Sequence, residues 1–392
     1  PGAVPGKKEK AIYRKLQAQL KAAVAAYFKK AVASGEIVGA GVSIVKCDSI
    51  LFSGGFGKRN AKAGTPVNDR TVFRLGSLSK GFAGILAADL KREGRLSWQD
   101  RVRDYLPEFR LGDKDNTDKI TLAHLLSHSS GAPYHSYTNL VEAGLPLSEI
   151  AGRFREVQPV GPPGAIYSYQ NALYALSGEI FEQVGGQPID AALEERFFKP
   201  LEMCSTTMDH QALLATGNYA IPHAKSRKGW RPRPLRDNYY NAIAAGGINS
   251  SPLDMARWMR FLLGYCPEVM NRQDIEEAFS PRVEIKGHHK YYHRWPGHES
   301  SYYGFGWRIH KFAEDTAGNQ KTIWHHGGSV NNFRNEIALF PESDLGICVL
   351  FNGYSTLAKT VIPDLYALVQ KVYEENKGEM QPNSRMLAHA HP

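Results

Sequence analysis

A serine hydroxyl is a poor nucleophile until a neighbouring group takes its proton. The run Phe73-Arg74-Leu75-Gly76-Ser77-Leu78-Ser79-Lys80 sets Lys80 three residues after Ser77. On a helix that spacing puts both side chains on one face. A helix N-terminus adds free N–H groups and the positive end of a dipole, which suit the oxyanion formed when an acyl group is attacked. Lys80 can act as a base only if it is neutral part of the time, and desolvation promotes that. The plain alternative is a helix-capping serine beside a surface lysine, and Ser-x-x-Lys alone occurs by chance in many chains. A second group is Tyr169-Gln170-Asn171, just after Gly161-Pro162-Pro163-Gly164. A tyrosine can exchange a proton with the serine or the leaving group, and an Asn amide can hold both Lys80 and a substrate. Tyr167 is a rival for the tyrosine role. The third is His326-Gly327-Gly328-Ser329. Glycines such as Gly328 on an edge strand let a substrate approach and pair with the backbone. The Ser329 N–H is a candidate second oxyanion donor, and His326 a group that positions its neighbours.

These residues need elements to hold them. Residues 7–33 carry Ile12, Leu16, Leu20, Ala23, Val24 and Phe28 at nearly helical period, and Gly35 stops that helix. Residues 38–45 and 50–56 read as two strands around a polar turn. A helix is expected over 77–93, with Leu78, Phe82, Ile85, Leu86 and Leu90 as its buried stripe and Gly94 as its stop. Further helices are expected from 121, over 174–184, 189–198 and 254–263, with a basic, proline-containing loop at 226–237. Strands return at 302–312, 321–325, 334–340 and 345–351, and a last helix covers 361–374. The tail after Lys377 is polar and reads as mobile. Strands at both ends with helices between them suggest one sheet built from both termini and an inserted helical lobe, with the cleft between lobes as the natural site.

The chain has 392 residues, 42% of them hydrophobic, which is enough for a large core. No run approaches the roughly 18 apolar residues of a membrane span. The net charge of +9 is compatible with nucleic acid, anionic lipid or an acidic polymer. No nucleic-acid motif accompanies it, so a solvated basic surface is the favoured reading. The four cysteines are far apart, with no Cys-x-x-Cys pair. Cys47, Cys204 and Cys348 sit in apolar or strand-like contexts that suggest buried thiols rather than a disulfide frame. His124 and His128 have the i, i+4 spacing of a zinc pair, but Leu125 stands where a zinc-protease helix has Glu, so a structural role is favoured. The stretch 286–298 (KGHHKYYHRWPGH) suits a metal, an anionic polymer or a roof over the cleft, with a surface insertion as the plain choice. No cofactor is called for, the oligomeric state is open, and the first residue, Pro1, leaves room for a removed leader.

Taken together and in order, the three groups resemble the signatures of the serine β-lactamase and penicillin-binding protein family: Ser-x-x-Lys, then Tyr-x-Asn, then a Lys- or His-containing Gly motif. The resemblance is nearest to the class C β-lactamase branch and its esterase and D-aminopeptidase relatives. It also takes in TLAHLLSHSSG at 121–131, AGGINS at 245–250 and YGFGW at 303–307. It implies an α/β (α+β) fold of the β-lactamase/transpeptidase type: an antiparallel sheet flanked by helices, with an inserted helical lobe. The catalytic unit would span 5–376, with 5–76 and 240–376 in the α/β lobe and 77–239 in the helical one. It implies a covalent acyl-enzyme on Ser77, with Lys80 and Tyr169 sharing the proton work. Substrates would be small esters, β-lactams or D-amino-acid peptides, in the periplasm or outside the cell, with the cytoplasm as the alternative. A penicillin-binding sensor without turnover, or a D-Ala-D-Ala carboxypeptidase or D-aminopeptidase, is the rival. Two departures bear on substrate. His326 replaces the usual Lys, and no Arg follows Asn352 until Arg385. With no fixed cation in view, neutral esters are expected to outrun β-lactams, whose carboxylate needs one.

Overall fold

The computed structural model describes residues 7–314 and 320–377. The N-terminal helix runs over Lys7–Ala33, and its buried stripe Ile12, Leu16, Leu20, Val24 and Phe28 repeats every four residues. It packs on β1 (Gly39–Lys46) and β2 (Ser49–Gly57). After the short β3 (Phe73–Arg74) the chain enters the helical part. That part holds the helices Ser79–Arg92 and Asn171–Gly185 and the hairpin β4 (His223–Ser226) and β5 (Gly229–Pro232). β6 (Asn249–Ser250) pairs with β3, and the helix Pro252–Leu262 returns the chain to the sheet. The sheet is then completed by β7 (Val283–Glu284), β8 (His298–Tyr303), β9 (Arg308–Glu314), β10 (Gln320–Val330), β11 (Phe333–Phe340) and β12 (Leu345–Phe351).

Eight strands form one antiparallel sheet in the order β2-β1-β12-β11-β10-β9-β8-β7. Strands from both ends of the chain therefore meet next to the β2 edge, where β1 pairs with β12 from Ala40↔Phe351 to Lys46↔Leu345. β12 reads as a continuous apolar run because every one of its residues is buried. One face of the sheet is covered by Lys7–Ala33 and the last helix, Val361–Asn376. The other face is covered by Pro252–Leu262 and, beyond it, by Ser79–Arg92 with the helical part.

Several elements differ from the sequence reading. Residues 302–312 are two strands, β8 and β9, because Gly306 (φ +82°) lets the chain turn between Tyr303 and Arg308. β10 does not stop at His325 but runs on through the glycines to Val330, carried by pairing with β11 from Trp324↔Leu339 to Val330↔Phe333. The basic loop 226–237 begins as the second half of the β4–β5 hairpin. Its strands are polar, so no alternation marks them, and Trp230 anchors them by donating from Nε1 to the Gly35 carbonyl at 3.0 Å. Cys204 is exposed rather than buried, Cys47 and Cys266 are half-buried, and Cys348 is buried in β12. The expected tail after Lys377 and residues 5 and 6 lie outside the described residues. Among the described residues no helix is long and apolar enough to cross a membrane.

Candidate active site

Ser77 sits one turn earlier than a simple helix start would put it. Gly76–Leu78 form a 3-10 turn that leads into Ser79–Arg92. Gly76 has φ +57°, and a Cβ there would lie 2.9 Å from the backbone C and O of Ser329. Only glycine permits that contact, so the nucleophile turn lies directly against β10. The Ser79 hydroxyl accepts the Ile248 N–H at 3.1 Å and ties the turn to the loop before Pro252–Leu262.

Lys80 is fully buried. Its Nζ lies 2.7 Å from Asn171 Oδ1, 2.7 Å from the Ala245 carbonyl and 3.2 Å from Ser77 Oγ. Burial, and then the nearby Arg308 charge, hold its pKa well below the ordinary lysine value. A neutral amine has two N–H bonds and one lone pair. Two carbonyl-type oxygens use the two N–H bonds, which leaves the lone pair facing the Ser77 hydroxyl. Asn171 is the first residue of the helix Asn171–Gly185, and its Nδ2 donates to Tyr239 Oη at 3.4 Å, which fixes the way its amide points.

The Tyr169 hydroxyl donates to Ser77 Oγ at 2.9 Å. Burial pushes its pKa up to about 12, so it is a protonated phenol at neutral pH. The His128 ring lies on it, with centroids 4.1 Å apart, and His128 Nδ1 accepts the Gln170 N–H at 3.0 Å. His128 thus holds the Tyr169 segment, while His124 Nδ1 accepts the Thr121 N–H at a helix start, so the two histidines do separate structural jobs. Tyr167 packs on Tyr303, with ring centroids 5.5 Å apart, and is not the tyrosine at Ser77.

On β10 the pairing with β9 ends at His325↔Arg308, while β11 continues alongside as far as Val330. The segment from His326 to Val330 therefore presents an open edge beside Ser77. A Cβ at Gly328 would lie 2.2 Å from the Leu75 carbonyl, which is why this strand carries glycine where it crosses the nucleophile turn. Ser329 is exposed on that edge. His326 is buried, with Nε2 at 2.8 Å from Tyr303 Oη and Nδ1 at 2.8 Å from the Gly327 carbonyl. A carbonyl only accepts, so Nδ1 carries the proton and Nε2 receives the Tyr303 hydroxyl. Burial, Arg308 and Lys80 keep the ring neutral. Both of its nitrogens are occupied, so His326 anchors the strand instead of supplying a charge.

Four participants were given no role by the sequence: the Ala245 carbonyl and Tyr303, which lie in the AGGINS and YGFGW stretches, and Tyr239 and Arg308. Arg308 matters most. It is half-buried, its Nε is enclosed without a hydrogen-bond partner, and it makes no ion pair among the described residues. Its charge lies close enough to lower the pKa of Lys80, Tyr169 and His326. The fixed cation missing from the expected positions is thus present on β9. Asn352, by contrast, donates to the Lys58 and Arg59 carbonyls and is spent on structure. The stretch 286–298 is not a plain surface insertion: Tyr292 and Trp295 are core residues, and Lys290 Nζ lies 5.4 Å from the centre of the Tyr134 ring.

Such a sheet, with a serine, a lysine and a tyrosine converging at its open edge, is of the β-lactamase/transpeptidase type. The family model described as Beta-lactamase matches residues 24–370, and the chain belongs to the Beta-lactamase family. It is 28% identical over 334 residues to the "Unguisins hydrolase ungD'" of Aspergillus campestris, covering 82% of this chain and 59% of that protein. It is 25% identical over 338 residues to "Protein flp" of Staphylococcus aureus strain MW2, covering 84% of this chain and 63% of that one. The chain thus spans about three fifths of the length of these relatives. Among solved structures it is similar to the octameric penicillin-binding protein homologue from Pyrococcus abyssi, with TM-score 0.73, 24% identity and coverage of 87% of this chain and 76% of that one. That likeness is one of fold.

Proposed function

We propose that the chain is a serine hydrolase that forms a covalent acyl-enzyme on Ser77 with ester or amide substrates bearing an anionic group. The observation that carries the reading is the Lys80 amine, whose two N–H bonds are engaged by Asn171 and Ala245 so that its lone pair faces Ser77. Lys80 takes the Ser77 proton as Oγ attacks the carbonyl carbon. The Ser77 and Ser329 N–H groups receive the oxyanion. The Tyr169 phenol lies on the Ser77 oxygen and passes its proton to the departing group; the Lys80 ammonium, its Nζ 5.0 Å from the Tyr169 ring centre, then gives up the proton taken from Ser77 to restore the phenol. Water then releases the acyl group. The open edge of β10 pairs with the substrate backbone. In the test, a fluorophosphonate or penicillin-type probe is added and the adduct mapped by mass spectrometry. Adduct on Ser77, and loss of turnover in Ser77→Ala, are expected; adduct on another serine, or undiminished turnover, refutes the assignment.

Arg308 supports the anionic part of the reading. A guanidinium in a wall of tyrosines that makes no ion pair among the described residues, the nearby Glu336 being paired with Arg334, binds a substrate carboxylate strongly, because that pair is charge-assisted and shielded from water. This replaces the expectation that neutral esters are favoured, which rested on the lack of such a cation. Two p-nitrophenyl esters alike except for a terminal carboxylate separate the cases. Arg308→Met is expected to lower kcat/KM for the charged ester at least about tenfold more than for the neutral one, ~1.4 kcal/mol of selective loss. Equal losses on both esters would place the role of Arg308 solely in the Lys80 pKa.

A further inference from the structure

Behind the β10 edge, on the side away from Ser77, lies a buried polar chain that the acyl-transfer steps do not use. Glu336 on β11 is fully buried. Its carboxylate pairs with Arg334 Nη2, accepts the Tyr291 hydroxyl at 2.9 Å and lies 2.6 Å from His325 Nε2. From there the contacts continue outward: His325 Nδ1 to His310 Nε2 at 3.0 Å, His310 Nδ1 to Ser301 Oγ at 2.7 Å, and Ser301 Oγ to His298 Nε2 at 2.7 Å. The directions follow by elimination. A carboxylate only accepts, so His325 donates from Nε2 and its Nδ1 must accept from His310. His310 Nδ1 then accepts the Ser301 hydroxyl, and Ser301 Oγ accepts from His298. Burial holds His310 and His325 well below the ordinary histidine pKa, in keeping with neutral rings. Every member of the chain points its proton toward Glu336.

The Glu336 end of this chain touches the strand that bears Ser329. At Gly327 the space a side chain would take is filled by Arg334 Nη1, Tyr291 Oη and Glu336 Oε1, at 2.7, 2.9 and 3.1 Å from the Cβ position. At the next residue, Gly328, the corresponding space on the opposite face holds the Leu75 carbonyl and Leu78 of the nucleophile turn. The strand that bears Ser329 is therefore gripped from both sides, by the serine turn in front and by an ionic cluster behind. A half-ångström shift of that strand would displace an oxyanion donor, and preorganised donors of this kind are worth about two to three orders of magnitude in rate.

We propose that Glu336 is a positioning residue for acyl transfer, its ionised carboxylate holding Arg334 and Tyr291 against Gly327 so that the β10 edge stays in register with Ser77. This rests on the acyl-enzyme reading above. The groups that face the carboxylate are His325 from β10, Arg308 from β9, Arg334 from its own strand, Tyr291 and Tyr292 from the segment before β8, and Cys348 from β12. Burial raises the Glu336 pKa to about 7, with Arg334, Tyr291 and Arg308 pulling the other way. With its pKa raised to about 7, Glu336 keeps the grip above that pH and loses it as the carboxylate is protonated below it.

The test is the pH dependence of kcat, read together with covalent labelling of Ser77 by a fluorophosphonate. In Glu336→Gln, which keeps shape and removes charge, kcat is expected to fall at least tenfold at pH 8 with KM within about threefold. The inflection near pH 7 that belongs to Glu336 should vanish and leave only the decline set by Lys80, while Ser77 still labels. Tyr291→Phe removes one hydrogen bond that lowers the Glu336 pKa, so the wild-type inflection should move to higher pH, and this variant serves if Glu336→Gln does not fold. An unchanged inflection in a folded Glu336→Gln, or in Tyr291→Phe, overturns the proposal. Failure of Ser77 to label in the wild type would instead overturn the acyl-enzyme reading.

Discussion

Lys80→Ala is expected to lower kcat/KM by about 10³-fold or more, ~4 kcal/mol of transition-state stabilisation, while the protein remains folded. The size follows from what the amine does. Its two engaged N–H bonds aim a lone pair at the Ser77 hydroxyl, 3.2 Å away, and among the described residues no other nitrogen base lies within hydrogen-bond distance of Ser77 Oγ. Tyr169 cannot take over, because burial raises its pKa to about 12 and the proton stays on the phenol. Loss of the side chain also empties a fully buried site, so thermal unfolding must be recorded with the kinetics. Native-like unfolding with a rate loss below tenfold would mean that Lys80 is only a structural group.

The same amine sets the direction of one pH effect. Its pKa is depressed by burial and by Arg308, and only the neutral form can accept the Ser77 proton. Acylation therefore declines as pH falls through the depressed value. Arg308→Met removes one of the two causes, so the decline should begin at a higher pH. Measuring kcat/KM for the neutral p-nitrophenyl ester against pH in both proteins tests this without the carboxylate contact. A decline that begins at a lower pH in the variant would contradict the assigned cause.

What could be read from the sequence follows from how each element meets water. β12 is buried along its whole length, so it appears as an unbroken apolar run with correct ends. The N-terminal helix shows its stripe because one side is buried and the other solvated. Ser77, Lys80, Tyr169 and Asn171 were legible because each is a side chain whose chemistry depends on local spacing or on a short motif. The Ala245 carbonyl was not, since a backbone oxygen has no residue type. Arg308 was hidden for a different reason. In sequence it is one basic residue after a tryptophan, and only the turn at Gly306 and the end of β9 pairing bring its charge near Lys80, Tyr169 and His326. The β4–β5 hairpin and exposed Cys204 were missed because polar strands and isolated cysteines leave no periodic trace. The Glu336 chain draws on β8, β9, β10 and β11, so no short stretch of sequence contains it.

Tyr169→Phe is expected to cost about 10²-fold or more in kcat, and Tyr167→Phe less than about threefold. The two residues are two positions apart and share His128 and Tyr303 as neighbours, which makes the pair a useful comparison. Both rings pack near Tyr303, with centroids 6.4 Å away for Tyr169 and 5.5 Å for Tyr167. Both hydroxyls have pKa values raised by burial. Only Tyr169 reaches the serine, through the 2.9 Å hydrogen bond to Ser77 Oγ. Phenylalanine preserves the ring, so the stack on His128 and the wall of the cleft remain. What is lost is the proton that stabilises the serine oxygen and reaches the leaving group. The deficit in Tyr169→Phe should therefore shrink for esters with good leaving groups, such as p-nitrophenolate, and grow for alkyl esters and amides, whose leaving atoms need protonation. A series of esters graded by leaving-group pKa measures that slope. A Tyr169→Phe deficit that is the same across the series would leave the tyrosine as an orienting group for Ser77 and remove it from the proton path.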